Sequence, residues 1–171
     1  MKGIAMLGQT IEILLANFPL IMYILAVVIA LFSGVKTSKI LFTLVLFLCV
    51  GLAGIWGFVM HAFFAEIASA NIGWQANPFE FEVAIANLAL GIGGIIAAFS
   101  SWSYRAAITT VTTVFLWGAA IGHVHQMITL HNFNPGNAGT IFLTDILIPV
   151  TLLILLGLNY HRTRKDLIYF S

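Results

Sequence analysis

Residues Ile40–Phe64 read ILFTLVLFLCVGLAGIWGFVMHAFF, an unbroken run with no Lys, Arg, Asp or Glu. A helix crossing a hydrocarbon core of about 30 Å needs about 20 mostly apolar residues. A run this long and uncharged reads as a membrane-spanning helix and not as the core strand or helix of a soluble domain. Working outward from it, four further runs of the same kind cover roughly residues 18–35, 81–99, 106–130 and 141–159. The expected fold class is therefore all-α, an integral membrane helical bundle of about five transmembrane helices forming a single domain over 1–171. Pro19 stands in a first-turn position, where its missing N–H does no harm. Gly3–Ala16 is less apolar, with Gln9, Thr10 and Glu12. It either extends the first span outward or lies in the interface as a short amphipathic helix.

Composition agrees with the runs. Of 171 residues 61% are hydrophobic and 8% charged, and the mean hydropathy is +1.05. A soluble domain is about 45–50% apolar and about 25% charged, so soluble enzymes, secreted domains and disordered chains are excluded. A net charge of +1 with no basic run excludes nucleic acid as a partner. Cys49 is the one cysteine and can form neither an intrachain disulfide nor a CxxC pair. The partner these numbers imply is the lipid bilayer.

Lys36, Lys39, Arg105, Arg162, Arg164 and Lys165 fall on one side of the five spans and Lys2 on the other. Cytoplasmic loops collect Lys and Arg, so the N-terminus is expected outside and the C-terminus in the cytoplasm. With one Lys, an early Glu12 and no small-residue cleavage site, the start does not read as a cleavable signal peptide. Glu12, Glu66, Glu80, Glu82 and Asp145, together with His61, His123, His125 and His131, then gather at the outer side. Insertion rules explain the basic side; they do not explain this one.

Helices pack in lipid through small residues aligned on one face, and a seven-residue step returns to within about 20° of the same face. Gly54 and Gly57 lead to His61; Ala89, Gly93 and Ala97 lead back through Ala86 to Glu82; Gly118 and Gly122 lead to His125. Three packing faces are thus expected to end in His61, Glu82 and His125, a two-histidine, one-carboxylate set suited to a divalent metal such as zinc or iron. Glu66, His123 and Asp145 are supporting candidates. Glu66 reaches the site only if the second span frays near Ala62, and Asp145 also suits a capping role at the start of the last span. His123, about 200° around the helix from His125, is expected to face headgroups, another helix or a second subunit. A haem held by His61 and either His123 or His125 is a lesser variant, and His131 is expected to be solvated. Thr109, Thr110, Thr112 and Thr113 can bond back to carbonyls of their own helix. No GxSxG, phosphate loop, HExxH or cysteine cluster is present, and no motif assigns an enzyme activity.

The segment Gly73–Gly91, GWQANPFEFEVAIANLALG, resembles a family of small multi-pass bacterial membrane proteins of unknown function, marked by Gly-Trp and then Ser-Pro-Phe-Gln-Phe-Glu-Val-Gly. Gly122–His125, Pro135–Gly139 and Asp145 look similar to its second half, so the resemblance covers roughly residues 55–150. Asn77, Glu80 and Ala84 depart from the pattern, which argues against Glu80 as a site residue, while Glu82 falls on the family's Glu. The resemblance implies a bacterial inner membrane and brings no activity with it.

Three functions follow as expectations. The first is a membrane protein with a polar His and carboxylate cluster at its extracytoplasmic face, holding a divalent metal. The second is a structural or assembly subunit, in a homo-oligomer or a larger membrane complex. The third is a small channel or proton-coupled transporter.

Overall fold

The structure, a computed structural model, describes residue 13 and residues 16–35 and 37–168, with side chains to Tyr160. Lys2, Gln9, Thr10, Glu12 and Lys36, and the side chains of His161, Arg162, Arg164, Lys165 and Asp166, lie outside the described residues. Among the described residues seven helices follow one another: α1 Phe18–Phe32, α2 Thr37–Phe63, α3 Ala65–Ile72, α4 Phe79–Ala98, α5 Trp102–Leu130, α6 Pro135–Ala138 and α7 Thr140–Ile168. No strand occurs among the described residues.

Among the described residues four segments, Thr37–Phe63, Phe79–Ala98, Trp102–Leu130 and Pro135–Tyr160, are long and apolar enough to cross a membrane. The expected first span is shorter, since α1 has 15 residues and rises only about 22 Å. It is pinned to α7, where Tyr23 Oη and Thr151 Oγ1 lie 2.8 Å apart. Thr140 Oγ1 donates to Asn17 Oδ1 at 2.8 Å beside the start of α1.

The closest pairing is α2 against α4. A Cβ on Gly54 would lie 2.8 Å from Gly91 Cα, and one on Gly94 would lie 2.7 Å from Gly51 N. Backbone meets backbone there, the contact small residues make available in lipid. Between Val45 and Leu52 α2 widens into a π-helical stretch. α5 packs on α7 and, less extensively, on α4.

The dry core lies toward the end carrying Lys39 and Arg105, around Phe42, Val45, Leu46, Ile148 and Leu152. Arg105 closes that end, donating to Ala98 O at 2.6 Å and Ser100 O at 3.2 Å with its guanidinium over the Phe42 ring. This satisfies the last carbonyls of α4 with a cation. Toward the opposite end the helices separate, and the polar groups collect.

Candidate functional site

A cavity of about 830 Å³ opens between α2, α4, α5 and α7. Val50, Leu90, Phe115 and Ile148 form apolar wall, and His61, Asn87, Thr112, His123 and Asp145 also line it. The π-helical stretch supplies Cys49 and Val50 to the inner end. Such stretches often mark functional sites.

Two histidine–carboxylate pairs stand at it: His61, His123 and Asp145 line the space, and Glu80 is paired with His61. At the end of α2, His61 Nδ1 lies 3.2 Å from Glu80 Oε1, while Ser69 Oγ donates to Glu80 Oε2 at 2.6 Å. With both carboxylate oxygens accepting, Nδ1 of His61 is the donor of this pair. On α5, His123 Nδ1 lies 2.8 Å from Asn137 Oδ1. The Asn137 amide nitrogen donates to Asn132 O at 2.8 Å and His123 O at 3.3 Å, which fixes its Oδ1 as the acceptor. Nδ1 of His123 is therefore the donor, and Nε2 faces Asp145 Oδ2 at 3.6 Å, beyond hydrogen-bond range. Trp74 and Phe142 flank the imidazole, with ring centroids 5.8 and 6.3 Å away.

The chain folds this way for local reasons. Helix α2 ends where Phe64 leaves helical geometry, φ −130° and ψ 35°, so α3 turns Ser69 back over Glu80. Asn137, fully buried in the short α6, ties the outer loop to α5. Pro149 in α7 has no N–H for the carbonyl of Asp145, four residues earlier, which loosens the helix at the cavity wall. The two pairs also share a height. From the contact of Gly93 with Ile108, stepping outward to Glu80 on α4 and His123 on α5 ends within about 3 Å of one level.

The structure gathers a different set from the expected one. His61 is in place, and His123 and Asp145 join each other. Glu82 and His125 are exposed and on other faces, and Glu66 is exposed in the first turn of α3. Among the described residues no group of three or more His, Cys, Asp or Glu side chains is placed to hold a metal ion. The stripe of Gly54 and Gly57 does face inward to His61, but the expected convergence fails because the stripes traced on α4 and α5 do not face the cavity. A Cβ on Gly118 or Gly122 would meet nothing within 4 Å, and Gly93 faces Ile108 while Ala89 is exposed. The face of α4 against α2 is instead Glu80, Ala84, Asn87, Gly91 and Gly94; the inner face of α5 runs Thr109, Thr112, Leu116, Ala120, His123.

Other expectations change with it. His123 is 5% exposed and turned inward, not toward headgroups. Asp145 lies beyond the first turn of α7 and is no cap. His131 is exposed and ends α5 in the left-handed region, φ 50°. Thr110 bonds back to Ala106 O at 2.9 Å, but the hydroxyls of Thr109, Thr112 and Thr113 are buried without a partner. Glu80, Asn87, Asn137 and Thr112 are the site residues the sequence reading missed. Their signal was available, since polar residues inside apolar helices face the bundle interior or a cavity.

These features define a helical membrane protein with a cavity between its helices, apolar in its walls and carrying imidazole and carboxyl groups toward one end. The chain belongs to a family of unknown function, DUF6790, whose sequence pattern it matches over residues 16–165. No curated protein and no solved structure matches it.

Proposed function

We propose that the protein is a membrane binding protein that takes a small lipid-soluble molecule into the cavity between α2, α4, α5 and α7. One observation carries this reading: an opening of about 830 Å³ with mostly apolar walls and two histidine–carboxylate pairs beside it. Ligand sites are concave, mostly apolar and about 300–1,000 Å³ in volume, with a few placed polar groups that orient the ligand. The cavity lies away from the basic end, so the positive-inside rule turns it toward the extracytoplasmic face. The reading has the protein in the inner membrane of a bacterium.

The test begins with protein purified in mild detergent without chelators. Its optical spectrum, metal content and the mass spectrum of an organic extract report any occupant. Ala119 lines the cavity, and Ala119→Phe fills part of it. A molecule retained by the native chain and lost from Ala119→Phe supports the reading. Equal retention by both, or binding of no lipid-soluble molecule by either, overturns it.

A second reading, that of a subunit in an oligomer or larger complex, is favoured by α5. Its Gly118 and Gly122 face open space, next to exposed Val114 and Ile121. Co-purification of a partner lost on Gly122→Leu would support that reading.

A further inference from the structure

We propose that the cavity's ligand is an organic ammonium ion, its N–H groups shared between the His123 Nε2 lone pair and the Asp145 carboxylate, with its apolar body along the aromatic walls. This rests on the cavity reading above and names the ligand class. The first ground is geometric. Nε2 and Oδ2 are two acceptors 3.6 Å apart, too far for a good hydrogen bond with each other. Asn137 accepts from Nδ1, so in the neutral imidazole Nε2 is the acceptor nitrogen. A donor with several N–H groups satisfies both acceptors at once; an ether, carbonyl or carboxylate satisfies neither.

The second ground is charge. Among the described residues no Lys or Arg lines the cavity, so an anionic headgroup would meet a carboxylate and no cation there. Asn87 adds another acceptor, because its amide nitrogen donates to Val83 O at 2.9 Å and its Oδ1 is left over. A Cβ on Gly57 would come within 2.8 Å of that Oδ1, so the glycine keeps the amide's place open. The indole N–H groups of Trp56 and Trp74, the Asn71 amide and the Thr112 hydroxyl are neutral donors on the walls. The third ground is the aromatic lining. Trp56, Phe64, Trp74 and Phe115 all border the space, and aromatic faces attract cations most strongly where water is excluded.

The experiment uses the full chain in nonionic detergent and radiolabelled decylammonium, competed with decanol, decanoate and decyltrimethylammonium. Saturable decylammonium binding is expected, about ten- to a hundredfold tighter than decanol, the equivalent of a charge-assisted hydrogen-bond set. Asp145→Asn should lose that preference, Asp145→Glu should keep part of it, and Ala119→Phe should remove binding. The wild-type ranking alone tests the ligand class even if Asp145→Asn folds poorly. Decanol binding as tightly as decylammonium overturns the ammonium assignment and leaves the cavity reading standing. Decyltrimethylammonium binding equally well overturns the shared N–H geometry. Stoichiometric zinc binding that expels decylammonium and is lost in Asp145→Asn replaces the proposal with a metal site. No saturable binding of any decyl compound, or binding unchanged by Ala119→Phe, overturns both the ligand class and the cavity reading.

Discussion

Glu80 and Glu82 are two residues apart, which on a helix is about 200° of rotation, and that rotation separates a group paired inside the bundle from a surface one. Glu80 accepts from His61 and Ser69, whereas Glu82 is exposed. The sequence reading chose Glu82 because it traced α4 from Ala89, Gly93 and Ala97. Tracing the same seven-residue step back from Gly91 and Gly94 through Asn87 leads to Glu80. Nothing in the spacing of small residues says which of two stripes is inside; the buried polar residues do, and Asn87 and Thr112 were legible as such. Glu80→Gln is expected to cost about 1–3 kcal/mol, because it takes the charge from a carboxylate accepting two hydrogen bonds. Glu82→Gln should stay within about 0.5 kcal/mol, as surface changes do. Thermal unfolding in detergent compares the two, and an equal effect would return Glu82 to the site. Asn137 carries more. It is fully buried and its side chain makes three hydrogen bonds. Asn137→Ala should destabilise by about 2–3 kcal/mol and release the His123 tautomer, so ligand affinity falls with the melting temperature.

Among the elements, the spans were legible and their contacts only partly so. Runs of apolar residues mark α2, α4, α5 and α7 to within a few residues, because length and hydropathy are what a bilayer selects. The first span is shorter in the structure than its apolar run suggested, and the π-helical stretch in α2 has no Pro or other breaker to announce it. Gly54 was correctly read as a packing residue, since α4 comes against it; Gly118 and Gly122 carry the same GxxxG spelling and meet nothing within 4 Å. A motif states that close approach is available and does not state who approaches. The contrast is testable with one methyl group. Gly91→Ala puts a Cβ 2.8 Å from Ile55 N, against backbone that cannot step aside, and should cost about 1–3 kcal/mol as overpacking does. Gly122→Ala should be neutral or slightly stabilising in the isolated chain, since alanine favours a helix over glycine by about 1 kcal/mol. Heating each variant and following monodispersity by size-exclusion chromatography compares them. A Gly122→Ala variant as damaged as Gly91→Ala would show that α5 is covered by a second chain.

For the molecule as a whole, the two ends differ in kind. One holds the dry core, Lys39 and Arg105; the other holds the cavity, both histidine–carboxylate pairs and the Asn-rich loop that α6 ties to α5. This division follows from physical cost. Arg105 at a helix end is satisfied by the last carbonyls of α4, while imidazole and carboxyl groups between helices need one another or a cavity. The sequence placed the polar residues on one side by counting spans, and the contacts between His61 and Glu80 and between His123 and Asp145 do join four helices at one end. Which end faces the cytoplasm rests on the basic residues, and the expected orientation leaves the cavity end outside. Asn71 lines the cavity near that end and is exposed; Ser100 stands in the turn beside Arg105. In a chain carrying Cys49→Ala, Asn71→Cys should react with a membrane-impermeant maleimide in intact cells. Ser100→Cys should react only after the membrane is opened. The reverse pattern would turn the bundle over and open the cavity to the cytoplasm, so that its ligand would have to arrive from inside the cell.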